Sequence, residues 1–305
     1  MYDFTTVASG LRFPEGPVAM SDGSVTLVEI AAGRVTRVQP DGSTETVAEP
    51  GGGPNGLALG PDGKLYCCNN GGFRYAELGD LLIPHGQPDD YSGGRIERID
   101  LSTGHVETLY KDGDFGCTLR GPNDLVFDAH GGFWFTDHGK NRERTRDITG
   151  IFYARADGGS LCEVIFPSEN PNGIGLSPDG RCLYAAETYT CRLRAYDVLA
   201  PGEVDTTPAL GGPGVPLYRP GGYKFFDSLA VEENGNICVA TIGECGISVV
   251  SPEGELVEFV PTDDPFTTNI CFGGEDMRDA YITLSGTGRL VKCRWPRPGL
   301  RLAHQ

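Results

Sequence analysis

No stretch of the 305-residue chain approaches the ~18 consecutive apolar residues of a membrane-spanning helix. The opening MYDFTTVASGLRFPEGP also lacks the basic segment followed by an apolar stretch that marks an export signal. The expectation is a cytoplasmic protein with no membrane partner. Basic residues are scarce, 25 Lys plus Arg against 42 Asp plus Glu, for a formal net charge of −17. That balance repels phosphate backbones and removes nucleic acid from the expected partners, while favouring cations in any concave site. The ten cysteines form no CxxC pair and no Cys/His cluster with zinc-ligand spacing, so a thiolate metal centre is not supported. Cys67, Cys182, Cys238, Cys271 and Cys293 lie in strand-like apolar runs and read as buried reduced thiols. Helical periodicity and an interdomain linker are missing too, which leaves one all-β domain spanning 1–305.

What the chain has in abundance is turn chemistry, 45 glycines and 22 prolines spread along its length. One unit recurs six times: a Pro-Asn-Gly-like start, an apolar run, a Pro-Asp-Gly-like turn and a second apolar run. The copies are FPEGPVAMSDGSVTLVE from Phe13, GPNGLALGPDGKLYCCN from Gly53, GPNDLVFDAHGGFWFTD from Gly121, NPNGIGLSPDGRCLYAAE from Asn170, FFDSLAVEENGNICVAT from Phe225 and a decayed TTNICFGGEDMRDAYITL from Thr267. Equivalent positions Glu15, Asn55, Asn123, Asn172, Asp227 and Asn269 follow at intervals of 40, 68, 49, 55 and 42 residues. DG, HG or NG between the two runs is hairpin chemistry, because these residues tolerate positive φ. Two further extended segments follow each hairpin, and four strands per copy make the blade of a six-bladed β-propeller. The last copy supplies three strands, so FTTVAS at the start is expected to close the ring.

In such a ring the first strand of each blade runs along the central channel, and its six starting residues converge at one end. The loop between second and third strands returns to that end. Insertions at Asn69–Ser92 and His138–Thr149 therefore predict a lid, whereas the insertion at Leu199–Gly214 joins third and fourth strands and belongs to the opposite face. The converging set is two carboxylates and four carboxamides, all oxygen donors, which suits a hard divalent cation such as Ca²⁺. Without a cation Glu15 and Asp227 should repel, and one should hold a proton.

The motifs FPEGP, GPND, NPNG and FDS before LAV resemble those of the regucalcin, gluconolactonase and luciferin-regenerating family of six-bladed propellers, over nearly the whole chain. The resemblance implies one divalent metal held by Glu15, Asn123, Asn172 and Asp227, with Asp227 also catalytic. Ca²⁺ is the expected ion; Mg²⁺, Mn²⁺, Fe²⁺ and Zn²⁺ fit the same donors. It further implies a metal-dependent hydrolase that opens a small lactone, an aldonolactone by analogy, with the metal as Lewis acid and Asp227 as general base. Phosphotriester hydrolysis on the same metal, or a non-enzymatic metal-binding propeller, are the alternatives. Candidate substrate contacts are Asn55, Arg120, His138, Tyr189 and Asn269; His85, Asp137, Asn141 and Cys117 lie near the mouth in sequence. One departure is notable: where the regucalcin branch carries a sugar-binding arginine, this chain has Gly121, with Arg120 one step away. A monomer or small homo-oligomer is expected.

Overall fold

The computed structural model describes residues 2–209 and 212–305. Six antiparallel blades stand in a ring, five of four strands and the fourth blade with an added short strand, Glu203–Val204, in its insertion. Their innermost strands are Pro14–Ala19, Pro54–Leu59, Pro122–Phe127, Pro171–Leu176, Phe225–Val231 and Thr267–Gly273. Each packs against the next, and the sixth packs against the first. The ring closes as the sequence suggested: Thr5–Ala8 pairs with Arg289–Arg294 and becomes the outer strand of the last blade. No described helix is long and apolar enough to cross a membrane.

Apolar side chains alternate along strands that are covered on both faces, so the core is divided among the seams between blades. The seam between blades two and three is filled by Tyr66, Phe127, Phe133, Phe135 and Phe152, and that between five and six by Val249, Ile270, Phe272, Ile282 and Trp295. All ten cysteines are free.

The inner hairpins turn in a repeated way. In the first blade Met20 and Ser24 close the turn, Gly23 at φ 85° donates its N–H to the Met20 carbonyl, and the Asp22 carboxylate accepts from the Ser24 N–H and hydroxyl. A type I turn followed by a left-handed residue is the hairpin that Asp-Gly favours. The decayed sixth copy still makes the turn, with Met277 at φ 55° in the glycine position.

Both predicted lid insertions lie between second and third strands. The first carries its own hairpin, Arg74–Leu78 against Leu81–His85. The Leu199–Gly214 insertion falls between the third and fourth strands of blade four, with residues 210 and 211 outside the described residues. At the end away from the lids, the final residues cross the channel. Leu300 donates its N–H to the Val231 carbonyl, the His304 ring sits 5.2 Å from that of Phe127, and the Gln305 amide donates to the Phe272 carbonyl.

Candidate metal and substrate site

Each inner strand breaks register with its neighbour immediately after it starts. Pro54 pairs with Asn69 and Leu57 with Cys67; Pro122 pairs with Asp137 and Leu125 with Phe135; Pro171 pairs with Glu187 and Ile174 with Ala185. Three residues on the inner strand oppose two on its partner, and the same slip recurs after Glu15, after Phe226 and after Thr267. A β-bulge re-aims the side chain it carries. Here it falls at Asn55, Asn123, Asn172 and Asp227, directly after Glu15 and directly before Asn269. Glycine follows in three copies because inner strands touch there: a Cβ on Gly16 would lie 2.3 Å from the Asn55 carbonyl oxygen, and one on Gly173 2.6 Å from the Leu229 nitrogen.

Five of the six residues line a cavity of about 580 Å³ beneath the lids: Glu15, Asn55, Asn123, Asn172 and Asp227. Asn269 does not. Its Nδ2 donates to Glu15 Oε2 at 2.7 Å and its Oδ1 accepts from the Ile270 N–H, so it braces Glu15 from below instead of facing substrate. Asn172 Nδ2 donates to Thr188 Oγ1 at 3.1 Å, which fixes the amide. The Asn123 Oδ1 is buried and accepts no hydrogen bond.

The electrostatics are those of crowded acids. Burial raises the Glu15 carboxyl above its ordinary range, partly offset by the Asn269 amide and the Gly16 N–H. Asp227 is raised well above its usual value by burial, then by the charge of Glu15 and that of Asp124. Asp124, beside Asn123, is pushed up to about 7 by burial and by Glu15. Sequence reasoning passed over Asp124, although a carboxylate where Gly16, Gly56 and Gly173 stand in other copies was the available signal.

His138 and Tyr189 share one wall, their rings 5.9 Å apart. Burial lowers His138 to about 4, with the Lys140 and Arg146 cations adding to the effect, so its imidazole is neutral at pH 7. Tyr189 accepts from Asn141 Nδ2 at 2.6 Å, linking the third-blade lid to blade four. His85 reaches the rim. Arg120, by contrast, is not part of the cavity: its guanidinium pairs with Asp112 at 3.0 Å on the outer surface. Asp137 is a clasp, accepting the N–H groups of Arg120, Gly121 and Gly139 at 2.6, 2.7 and 2.8 Å. Cys117 contacts the Leu161 carbonyl, outside the cavity.

The donor set fits a hard cation. Two carboxylates and carboxamide oxygens converge, one of those oxygens is buried without a partner, and nothing of opposite charge lines the cavity. Among the described residues no group of three or more His, Cys, Asp or Glu side chains forms a metal cluster, which sets this mixed Asn/carboxylate arrangement apart from zinc-type centres.

Residues 13–286 match the family described as SMP-30/Gluconolactonase/LRE-like region. The chain belongs to this family. Among its relatives, lactonase drp35 of Staphylococcus saprophyticus is 28% identical over 246 residues, covering 80% of this chain and 68% of the relative. The gluconolactonase of Zymomonas mobilis is 24% identical over 302 residues, covering 92% and 78%. Solved structures share the architecture. A gluconolactonase from Xanthomonas campestris superposes with a TM-score of 0.75 at 20% identity over 97% of this chain and 90% of that one, and a calcium-binding regucalcin from Agrobacterium tumefaciens with 0.74 at 18% over 99% and 98%. At these identities the structural likeness shows the fold alone.

Proposed function

We propose that this member of the family is a metal-dependent hydrolase that opens a small lactone. The observation that carries the reading is the ring of Glu15, Asn123, Asn172 and Asp227 at the floor of a lidded cavity, with the Asn123 Oδ1 unpartnered and the two acids unanswered by any cation. The relatives named lactonase and gluconolactonase support the reaction class.

Glu15, Asn123, Asn172 and Asp227 would hold the ion, for which Ca²⁺ is the first choice given all-oxygen donors. When bound, a divalent cation supplies Lewis-acid polarisation of the lactone carbonyl. The chain's own groups do the rest. Asp227, partly open to the cavity, accepts the proton of the attacking water and returns it to the ring oxygen as the ester bond breaks. His138, held near 4, is too weak a base for that task and serves as a neutral hydrogen-bonding wall. Asn55 and Tyr189, which line the cavity beneath the lids, would contact the substrate. Gluconolactone, which names some of the relatives, is the reference substrate.

The test is turnover of δ-lactones by chelated protein before and after adding back each divalent ion. Turnover restored by an ion and lost in Asp227→Ala supports the reading. Absence of turnover with every ion, in folded protein that still binds calcium, would replace it with a binding role.

A further inference from the structure

The polar groups of the cavity lie on its floor and one wall, with His85 at the rim. Above the oxygen ring the enclosing side chains are Phe13, Phe73, Ile83, Phe225, Ile242 and Phe266, none of which offers a hydrogen bond. They come from blades one, five and six and from the blade-two lid, so apolar surface surrounds the mouth on several sides. The aromatic wall runs from Tyr189 to Phe225 and out to the exposed Tyr223, rings meeting edge to face with centroids 5.9 and 5.0 Å apart. On the other side Phe13 packs against Tyr75 of the lid at 5.5 Å and against Phe266 at 6.1 Å.

Some of the polar groups that could recognise hydroxyls are already engaged, and those left to a ligand, Asn55, His85 and His138, are outnumbered by the apolar walls. Tyr189 accepts from Asn141, Thr188 accepts from Asn172, and the Asn269 amide is committed to Glu15. Among the described residues no lysine or arginine lines the cavity. Lys140, the nearest buried cation, points its Nζ at Asn70 Oδ1 and the Gly72 carbonyl, 2.9 and 2.7 Å away, with the Phe73 ring over it. Arg120 faces outward to Asp112.

A sugar lactone brings several hydroxyls, and each one buried against such walls without a partner costs about 1–3 kcal/mol. An alkyl or aryl substituent gains instead, by about 0.8 kcal/mol for each buried methylene. We propose that the site is built for a lactone carrying an apolar chain or ring, with the ester group on the oxygen-rich floor and the substituent between Phe13, Phe225 and Phe266. This rests on the lactone-hydrolase reading and departs from the aldonolactone expectation only in the substituents.

The experiment holds ring size constant. With calcium-loaded protein, kcat/KM is measured for δ-valerolactone, δ-hexanolactone, δ-octanolactone, δ-decanolactone and δ-gluconolactone. The expected result is a rise of up to about fourfold for each buried methylene, with δ-decanolactone ahead of δ-gluconolactone by tenfold or more. A flat series, or preference for δ-gluconolactone, overturns the proposal and leaves lactone hydrolysis standing. Binding of the lactams 6-pentylpiperidin-2-one and gluconolactam, read by calorimetry, tests the pocket independently of turnover. Tighter binding of the pentyl lactam with no lactone turned over supports the pocket and sinks the hydrolase. Tighter gluconolactam, or no difference, sinks the pocket proposal. Phe225→Ser should narrow the decanolactone-to-valerolactone ratio about tenfold; if that variant fails to fold, Ile83→Ser on the lid gives the same reading. An unchanged ratio in a folded variant counts against the proposal.

Discussion

Buried carboxylates occur in two parts of this molecule, and their surroundings differ. Around the blade edges, Glu29, Glu187 and Glu232 are enclosed but answered. Glu29 binds Arg34, Thr36 and the Arg12 N–H; these bonds outweigh burial and hold its carboxyl below the ordinary range. Glu187 accepts from Arg192, Arg194 and Thr190. Glu232 accepts from Trp295 Nε1 and Arg297 Nε, both at 2.6 Å, and from Asn236. In the channel, Glu15 and Asp227 at the lidded mouth and Asp124 beneath them are met by amides, a hydroxyl, backbone N–H groups and one another, and all three are raised. A buried charge is tolerated when paired, and an unpaired cluster of like charge is a standing cost that folding alone does not explain. The first set holds blades together; the second, on the proposed reading, would be kept for a cation.

Substitutions that separate stability from activity would break or sharpen this contrast. The largest effect is expected at Asp227→Asn: lactone hydrolysis should fall on the order of 10²–10⁴-fold as the base is lost. The metal-free variant should melt no lower than the parent, because removing one of two repelling acids relieves Glu15. A marked drop in melting temperature without metal would place Asp227 among the structural carboxylates. Glu232→Ala should do the reverse. Leaving the buried Trp295 indole N–H without a partner and Arg297 with Glu258 alone costs about 1–3 kcal/mol, visible as an earlier urea midpoint, while the folded fraction keeps the parent's kcat/KM. Loss of activity beyond loss of folded protein would dissolve the distinction between the two sets.

Most of the fold was legible because it is written six times. Periodicity survives the decay of single copies, as in the sixth blade, where Met277 adopts the turn conformation that glycine takes elsewhere. The five cavity-lining oxygens were legible for the same reason: they occupy one repeat position, and the bulge that aims them inward is a property of that position. What sequence spacing could not convey was direction. Asn269 holds the repeat position yet turns to brace Glu15, and Arg120, adjacent to the third blade's start, pairs outward with Asp112. The apolar walls were equally hidden, since Phe13, Phe73, Phe225 and Phe266 come from separate blades and meet only when the ring closes. Asp124 was visible as a departure from the repeat, but its burial beside Glu15 depends on inner strands touching across the channel.

Lys140 extends the contrast to a buried cation. Among the described residues it makes no ion pair; it sits between Asn70, the Gly72 carbonyl and the rings of Phe73 and Tyr91, with Asp137, Asp147 and Arg142 nearby. Burial lowers it to about 7. The unfolded chain, titrating near 10.5, then binds more protons than the folded one between pH 7 and 10.5, so stability contributed at this site rises with pH across that window. Lys140→Met should erase that slope and raise stability at pH 7 by about 1–3 kcal/mol, within the range a buried, unpaired charge costs. A Met variant that is less stable at every pH would show the amide and aromatic contacts to be worth more than the charge costs.

The smallest effect is expected at Arg120→Ala. The pair with Asp112 is exposed on both sides, about 40% for each side chain, and such pairs contribute about 0–1 kcal/mol. The backbone N–H of Arg120, which the Asp137 carboxylate holds, survives the substitution. Stability and kcat/KM should therefore both stay within about twofold of the parent, with no change in the ranking of δ-gluconolactone against δ-decanolactone. A selective loss on δ-gluconolactone would mean that the guanidinium swings from Asp112 into the cavity when a polyhydroxylated substrate arrives. The walls would then acquire the one cation they lack, and the case for an apolar substituent would weaken at its most specific point.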